Sequence, residues 1–286
     1  MNDGTEPVRR SLSVAEGSIS YIAWPRSAPG LHFAHANGFN AQTYTTLLAP
    51  LADRFSIVAS DLRGHGHTQL PTPPGFAQGW RIFADDLIST LQGLFTGPVL
   101  LAGHSMGAIA SLMVAASHPQ LVRALVLIEP VFVPPAIGVR PIPDIAERAA
   151  RRRAIFPSRD AMQDAYSGRG AFKGWPDAVL RDYILGGTRP TEDGQVALSC
   201  EPRVEAEDFC SSPVAAYELA RQLRCPVTLI RGDGPGSTCG AEEAAAFVAL
   251  KPDTRLITVP GASHFLPMEF PDLVRTHILT RVGGSA

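Results

Sequence analysis

The stretch "LLAGHSMGAIA", residues 100–110, decides the fold. An apolar run ends at a serine that has a glycine two residues before it and another two residues after it. The chain beyond is small and helix-prone. Gly103-His104-Ser105-Met106-Gly107 fits G-x-S-x-G between a strand and a helix, a sharp turn that lifts the serine hydroxyl above the end of a sheet. Such a turn forces strained backbone geometry on the serine. Its neighbours two positions away must be small, or strand and helix would clash. The hydroxyl then stands at the positive end of the helix. Ser105 is the candidate nucleophile, and the competing reading is a glycine-rich turn with an idle serine.

Working outward, short runs rich in Val, Ile and Leu at 18–24, 31–36, 55–60, 98–103 and 124–130 read as strands. Helical stretches at 43–53, at 80–94 and after Ser105 separate them. Runs of this kind suit strands buried on both faces. Helices between them imply right-handed crossovers and a mainly parallel sheet. From 131 to 213 the rhythm breaks. Prolines crowd at 134, 135, 141 and 143, and amphipathic helical pieces follow without clear strands. The pattern resumes with a strand at 225–232, a helix at 241–250, a strand at 255–260 and a last helix at 272–281. The expectation is an α/β core in two parts, 1–130 and 214–286, interrupted by an inserted helical cap at 131–213.

Bulk composition narrows the classes. The chain has 286 residues, 45% of them hydrophobic, enough for a sizeable core. A formal net charge of −2 gives no electrostatic case for nucleic acid or an anionic membrane. No apolar run approaches the ~20 residues of a membrane span, and the amino-terminal residues lack the apolar stretch of a signal peptide. The four cysteines, Cys200, Cys210, Cys225 and Cys239, form no CxxC pair, which argues against zinc or a redox dithiol. HExxH, P-loop and G-x-G-x-x-G patterns are missing, so no metal, nucleotide or flavin is expected. The reading is a soluble, reduced, cytoplasmic protein without a cofactor. One basic run, "RAARRR" at 148–153, reads as a solvated helix face. Its alternative is attraction of an acidic substrate.

Three further landmarks accompany the serine turn: "HANGFN" at 35–40, "DLRGHGHT" at 61–68 and "GASHFLPMEFP" at 261–271. Together, in this order, they make the sequence resemble the α/β-hydrolases that carry a cap domain, over nearly the whole chain. The resemblance implies an α/β-hydrolase fold and a small-molecule substrate, largely apolar, held under the cap. A serine at the elbow, instead of the aspartate of epoxide hydrolases and haloalkane dehalogenases, implies acyl transfer on esters or lactones. Carbon–carbon hydrolases of ring-cleavage products are the rival within the enzyme class. A non-catalytic ligand-binding protein of this fold is the rival outside it.

A serine hydroxyl needs a base, and the family places it where His264 stands, just after the last strand. Of the other histidines, His65 and His67 belong to a turn that is structural in the family, and His104 should point away from the hydroxyl. His35 ends a strand near the oxyanion loop, and His277 lies in the final helix. The base in turn needs an acid. The family's common G-x-x-D puts Pro235 at the expected aspartate, and counting back from the next strand puts Gly236 or Ser237 there. Two candidates remain. Glu129 ends the strand after the nucleophile helix, where some members carry their acid, and it is preferred. Asp233 directly follows Gly232. For the oxyanion, the N–H after the nucleophile is that of Met106. By resemblance the second is that of Phe39, in Asn37-Gly38-Phe39, with Asn37 where relatives have histidine and the register open by one residue. In the insert, Phe156, Tyr166, Phe172, Trp175 and Tyr183 supply apolar surface. "DGQVALSCEPRVEA" at 193–206 is similar to relatives' caps but yields no chemistry from sequence.

Overall fold

The computed structural model describes residues 6–133, 143–213 and 215–281. Its centre is an eight-stranded sheet in the order β1-β2-β4-β3-β5-β6-β10-β11. These are β1 (Val8–Val14), β2 (Gly17–Trp24), β3 (Gly30–Ala34), β4 (Ser56–Ser60), β5 (Val99–His104), β6 (Val122–Ile128), β10 (Val227–Gly232) and β11 (Arg255–Val259). From β4 to β11 every neighbouring pair is parallel. Only β1 and β2 pair antiparallel, with each other and, through β2, with β4. The strand Val8–Val14 carries no sequence signal because it is an edge strand with a half-exposed, polar-rich face. By contrast β5 is buried at all six positions, as a central parallel strand must be.

Apolar clusters lie on both faces of the sheet. On one, the helices Arg81–Leu94, Met106–Ser117 and Ala241–Leu250 cover Leu101, Leu125 and Leu229. The other face holds Phe33, Leu48 and Ile230, and runs on into Phe156, Met162 and Trp175 of the insert. The helix Met106–Ser117 is buried almost all round, which is why its sequence shows no polar stripe. The expected helix at 43–53 is instead three short turns, Ala41–Tyr44, Thr45–Leu48 and Ala49–Leu51, the last opening on Pro50.

Between β6 and β10 the chain leaves the main sheet. The proline-rich residues 134–142, inside the cap expected from 131, lie outside the described residues. The rest forms helices Pro143–Ala150, Arg159–Tyr166, Asp177–Gly186 and Pro202–Cys210. It also forms a three-stranded sheet of β7 (Ile155–Phe156), β9 (Val196–Leu198) and β8 (Thr188–Pro190), all antiparallel. The expectation of helical pieces without strands is therefore corrected. Strands of two or three residues are too short to show an alternating pattern. They pair because a tight turn, with Thr191 N–H donating to Gln195 O at 3.0 Å, folds β8 back on β9.

Candidate active site

Ser105 joins β5 to the helix Met106–Ser117 with φ 55° and ψ −118°, a conformation unfavourable for any residue but glycine. Its backbone is held from both sides. Ser105 N–H donates to Ile128 O at 3.0 Å, and Ser105 O accepts from Ala108 N–H at 3.0 Å. The flanking glycines are sterically required. A Cβ on Gly103 would lie 2.4 Å from Gly107 O, and one on Gly107 would lie 2.3 Å from Ala34 O. Ser105 occupies the helix N-cap without a capping bond from its side chain, so its hydroxyl is not spent on the helix. Met106 N–H, the first of the helix, has no carbonyl within the helix to bind.

Glu129 stands one residue past β6, fully buried, with φ 46°. Its N–H donates to Ile230 O at 2.8 Å, which fixes it across to the next strand. The carboxylate accepts from Gly232 N–H at 2.5 Å, Thr238 N–H at 2.8 Å and the Ser237 hydroxyl at 2.9 Å. Oε2 lies 3.4 Å from His264 Nδ1, and Thr238 Oγ1 lies 2.8 Å from the same nitrogen. Burial alone would push the Glu129 carboxyl up. Hydrogen bonds from His264, Gly232 N–H and Thr238 N–H outweigh it and hold the group below its usual range. Asp233 is used differently: its Oδ1 accepts from Gly261 N–H at 2.6 Å, pinning the loop that leads to His264. The segment 232–238, where the family's common acid is expected, thus supplies donors to a carboxylate that arrives from the neighbouring strand.

A second chain of bonds ties the loops together. Ala36 N–H donates to Tyr44 Oη at 3.2 Å, and Tyr44 O–H lies 2.7 Å from His104 Nδ1. His104 Nε2 lies 2.8 Å from His264 O, so Nε2 carries the proton and Nδ1 accepts from the tyrosine. Burial holds the His104 imidazole far below its usual range, hence neutral. Both ring nitrogens of His104 are thus engaged, by Tyr44 and by His264 O, and the ring spaces the loop that carries His264. His35 Nδ1 donates to Ala36 O at 2.8 Å while its Nε2 accepts from Leu62 N–H at 2.8 Å. His65 Nε2 accepts from Gly38 N–H at 3.0 Å. Phe39 N–H donates to Ala36 O at 3.1 Å, closing a turn, so an oxyanion there would share that donor. Sequence reasoning missed Tyr44, for which there was no signal, and Thr238, whose signal was a Ser-Thr pair in the acid's usual slot.

The roof above this loop is aromatic. The Phe39 ring stacks on Phe265 at 6.2 Å and meets Trp175 and Tyr183 of the insert edge-on at 5.5 and 5.6 Å. A cavity lies in the seam between core and insert, lined by Gly38, Phe39, Gly66, Arg152, Tyr183 and Cys200, among others. Ser105 is not on its wall. Arg152 corrects the reading of "RAARRR" as a solvated face. Its side chain is 21% exposed and pairs with Glu205 of the helix Pro202–Cys210, because it follows the helix end and turns inward. Among the described residues no group of three or more His, Cys, Asp or Glu is placed to hold a metal ion, and no helix is long and apolar enough to cross a membrane.

Comparison with known proteins agrees with this geometry at the level of the fold. The model of the alpha/beta hydrolase family matches residues 33–276. The 2-(acetamidomethylene)succinate hydrolase of Mesorhizobium japonicum is 29% identical over 249 residues, covering 86% of this chain and 85% of that protein. An esterase of Mycobacterium tuberculosis is 27% identical over 239 residues, covering 80% of this chain and 74% of that protein. The crystal structure of an E-2-(acetamidomethylene)succinate hydrolase superposes with a TM-score of 0.79 at 24% identity, over 98% of this chain and 100% of the other. The serine elbow, the strand order and the family match over residues 33–276 together establish that this chain is a hydrolase belonging to the alpha/beta hydrolase family.

Proposed function

We propose that the protein is a serine hydrolase that cleaves a carboxylic ester or lactone through an acyl-enzyme. Ser105 is the nucleophile, His264 the base and Glu129 the acid, and Met106 N–H and Phe39 N–H bind the oxyanion. Ser105 Oγ adds to the carbonyl carbon as His264 takes its proton. Glu129 stabilises the resulting imidazolium, and the oxyanion is met by Met106 N–H at a helix N-terminus and by Phe39 N–H from the facing turn. His264 then returns the proton to the leaving alkoxide. Water, deprotonated by the same histidine, attacks the acyl-enzyme and frees the acid and Ser105.

The observation that carries this reading is the convergence of Glu129 Oε2 and Thr238 Oγ1 on His264 Nδ1. It fixes the ring by one nitrogen and leaves Nε2 for the serine. The aromatic roof of Phe39, Trp175, Tyr183 and Phe265 supports a largely apolar acyl or alcohol group. Residues 131–213 act as the cap. A second reading gives the substrate a carboxylate, as in the name of the Mesorhizobium relative. It is favoured by Arg189, which donates to Gly66 O at 3.1 Å on the cavity wall, and by Arg159 beside Thr188. Among the described residues neither arginine forms an ion pair.

The test is hydrolysis of p-nitrophenyl acetate beside a Ser105→Ala control, with mass mapping of a serine-directed organophosphonate. Label on Ser105 and no turnover in Ser105→Ala are expected. Label elsewhere in an active sample refutes the nucleophile, and a folded protein that neither reacts nor turns over refutes the serine-esterase reading.

A further inference from the structure

Two sequence features find no place in the chemistry above: the basic run at 148–153 and the segment "SCEPRVEA" at 199–206. In the structure they meet, and they meet on the oxyanion loop. Arg152 Nη1 pairs with Glu205 Oε2, and Arg152 Nη2 donates to Tyr183 Oη at 2.8 Å and Tyr166 Oη at 3.4 Å. The pair is shielded, with side chains 21% and 10% exposed, so it is not the weak, freely solvated kind. Beyond the pair lies Gly38. Its φ is 73°, and a Cβ there would come within 2.7 Å of Glu205 Oε1. The glutamate side chain is therefore packed directly on the loop backbone. The same residue accepts from the loop through its main chain, with Asn37 Nδ2 donating to Glu205 O at 3.0 Å. One turn on, Asp208 Oδ2 lies 3.7 Å from His65 Nε2, the atom that accepts Gly38 N–H.

We propose that Glu205, clamped by Arg152, is a positioning residue for the oxyanion loop Asn37-Gly38-Phe39. A loop bonded only to the core can relax away from the carbonyl oxygen. Pressing Glu205 on Gly38 and anchoring Asn37 to the same helix holds in place the turn that carries the next N–H, that of Phe39, which closes on Ala36 O. Arg152 holds the carboxylate at the angle that makes this contact, and the two tyrosines hold Arg152. The insert then completes the catalytic loop besides covering the substrate. Arg152 is charge-balanced by Glu205 and two hydroxyls, so its role is mechanical and not that of a free cation offered to substrate. The proposal rests on the serine-hydrolase reading above.

The experiment compares wild type with Arg152→Met, Arg152→Lys and Glu205→Gln. Each is assayed for kcat and KM on neutral p-nitrophenyl acetate and on anionic mono-p-nitrophenyl succinate. Affinity for a trifluoromethyl ketone, whose serine adduct carries an oxyanion, is measured beside thermal melting. Arg152→Met and Glu205→Gln should lower kcat about tenfold to a hundredfold on both esters, the scale of an ångström-sized misplacement. KM should stay within about twofold, and ketone affinity should fall by the same factor as kcat. Arg152→Lys should recover part of the loss. If Arg152→Met does not fold, Glu205→Gln, which keeps size and shape, decides on the same readings. A kcat within about twofold of wild type in a folded variant overturns the proposal. So does a KM increase confined to the anionic ester, which would make Arg152 a substrate contact. Phosphonate labelling separates the two readings: an unlabelled Ser105 in wild type defeats the serine-hydrolase reading itself, whereas stoichiometric labelling with unchanged kcat defeats only the brace.

Discussion

Glu129 Oε2 and His264 Nδ1 lie 3.4 Å apart although 135 residues separate them in sequence. The carboxylate reaches the histidine from the end of β6, the neighbour of the strand β5 that ends at the Ser105 turn. Three donors from the segment 232–238 hold it ionised in a buried place, where an unpaired carboxylate would take up a proton.

Glu129→Gln keeps the shape of the side chain and removes the charge that, in the proposed mechanism, stabilises the imidazolium. Its kcat should fall by ~10²–10⁴, the upper figure being that of the serine-protease acid. Asp233→Asn should stay within a few-fold, because Asp233 serves Gly261 N–H and an amide oxygen can accept the same bond. Side-by-side kcat measurements on folded protein check this; the reverse ranking would make Glu129 a structural residue.

Thr238→Val removes the hydroxyl 2.8 Å from His264 Nδ1 but leaves its own N–H on Glu129. The ring then has only the longer contact to Glu129 to orient it. A loss of about tenfold in kcat is expected, near the value of one hydrogen bond to a charged group. Thr238→Ser should be close to wild type. Steady-state kinetics on both variants distinguish an orienting hydroxyl from a bystander.

Ser105→Gly and Ser105→Ala should both be inactive, yet differ in stability. Alanine keeps the Cβ and therefore the strain of φ 55°, which costs ~1–3 kcal/mol. Glycine removes that strain and loses ~0.5–1 kcal/mol through its freer unfolded chain. The strain term is larger, so Ser105→Gly should melt above Ser105→Ala by a few degrees. Equal melting points would mean that the elbow is unstrained.

Asp182 gives a pH test remote from the chemistry. It is half-buried, it accepts a long hydrogen bond from Gln42 Nε2 at 3.5 Å, and burial raises its carboxyl to about 6 from the usual 3.8. An acid raised on folding destabilises the protein when ionised. The penalty is absent below the unfolded value of 3.8, grows between 3.8 and about 6, and is constant above that. Asp182→Asn should raise the melting temperature by a few degrees at pH 7.5, about 1 kcal/mol, and leave it unchanged at pH 4. Thermal melts at the two pH values check the sign.

The elbow and the parallel core were legible in the sequence because each rests on local constraints. Gly103 and Gly107 are dictated by contacts that any residue with a side chain would violate, so the pattern has to appear in the chain. The buried run of β5 is likewise a local consequence of its central place. Even Glu129 could be singled out, since the usual slot lacked an acid. What tertiary structure alone decided are relations between residues far apart in sequence. Nothing local says that Thr238 would stand beside His264, that Tyr44 would link Ala36 to His104, or that Asp233 would turn to Gly261. The same holds for Arg152, which turns inward to Glu205 while Arg148, Arg151 and Arg153 of "RAARRR" stay exposed. The three short strands of the insert escaped for a related reason: two or three residues carry no periodicity, and only pairing makes them strands. Local sterics are written in neighbouring residues, but partners are chosen when the chain closes on itself.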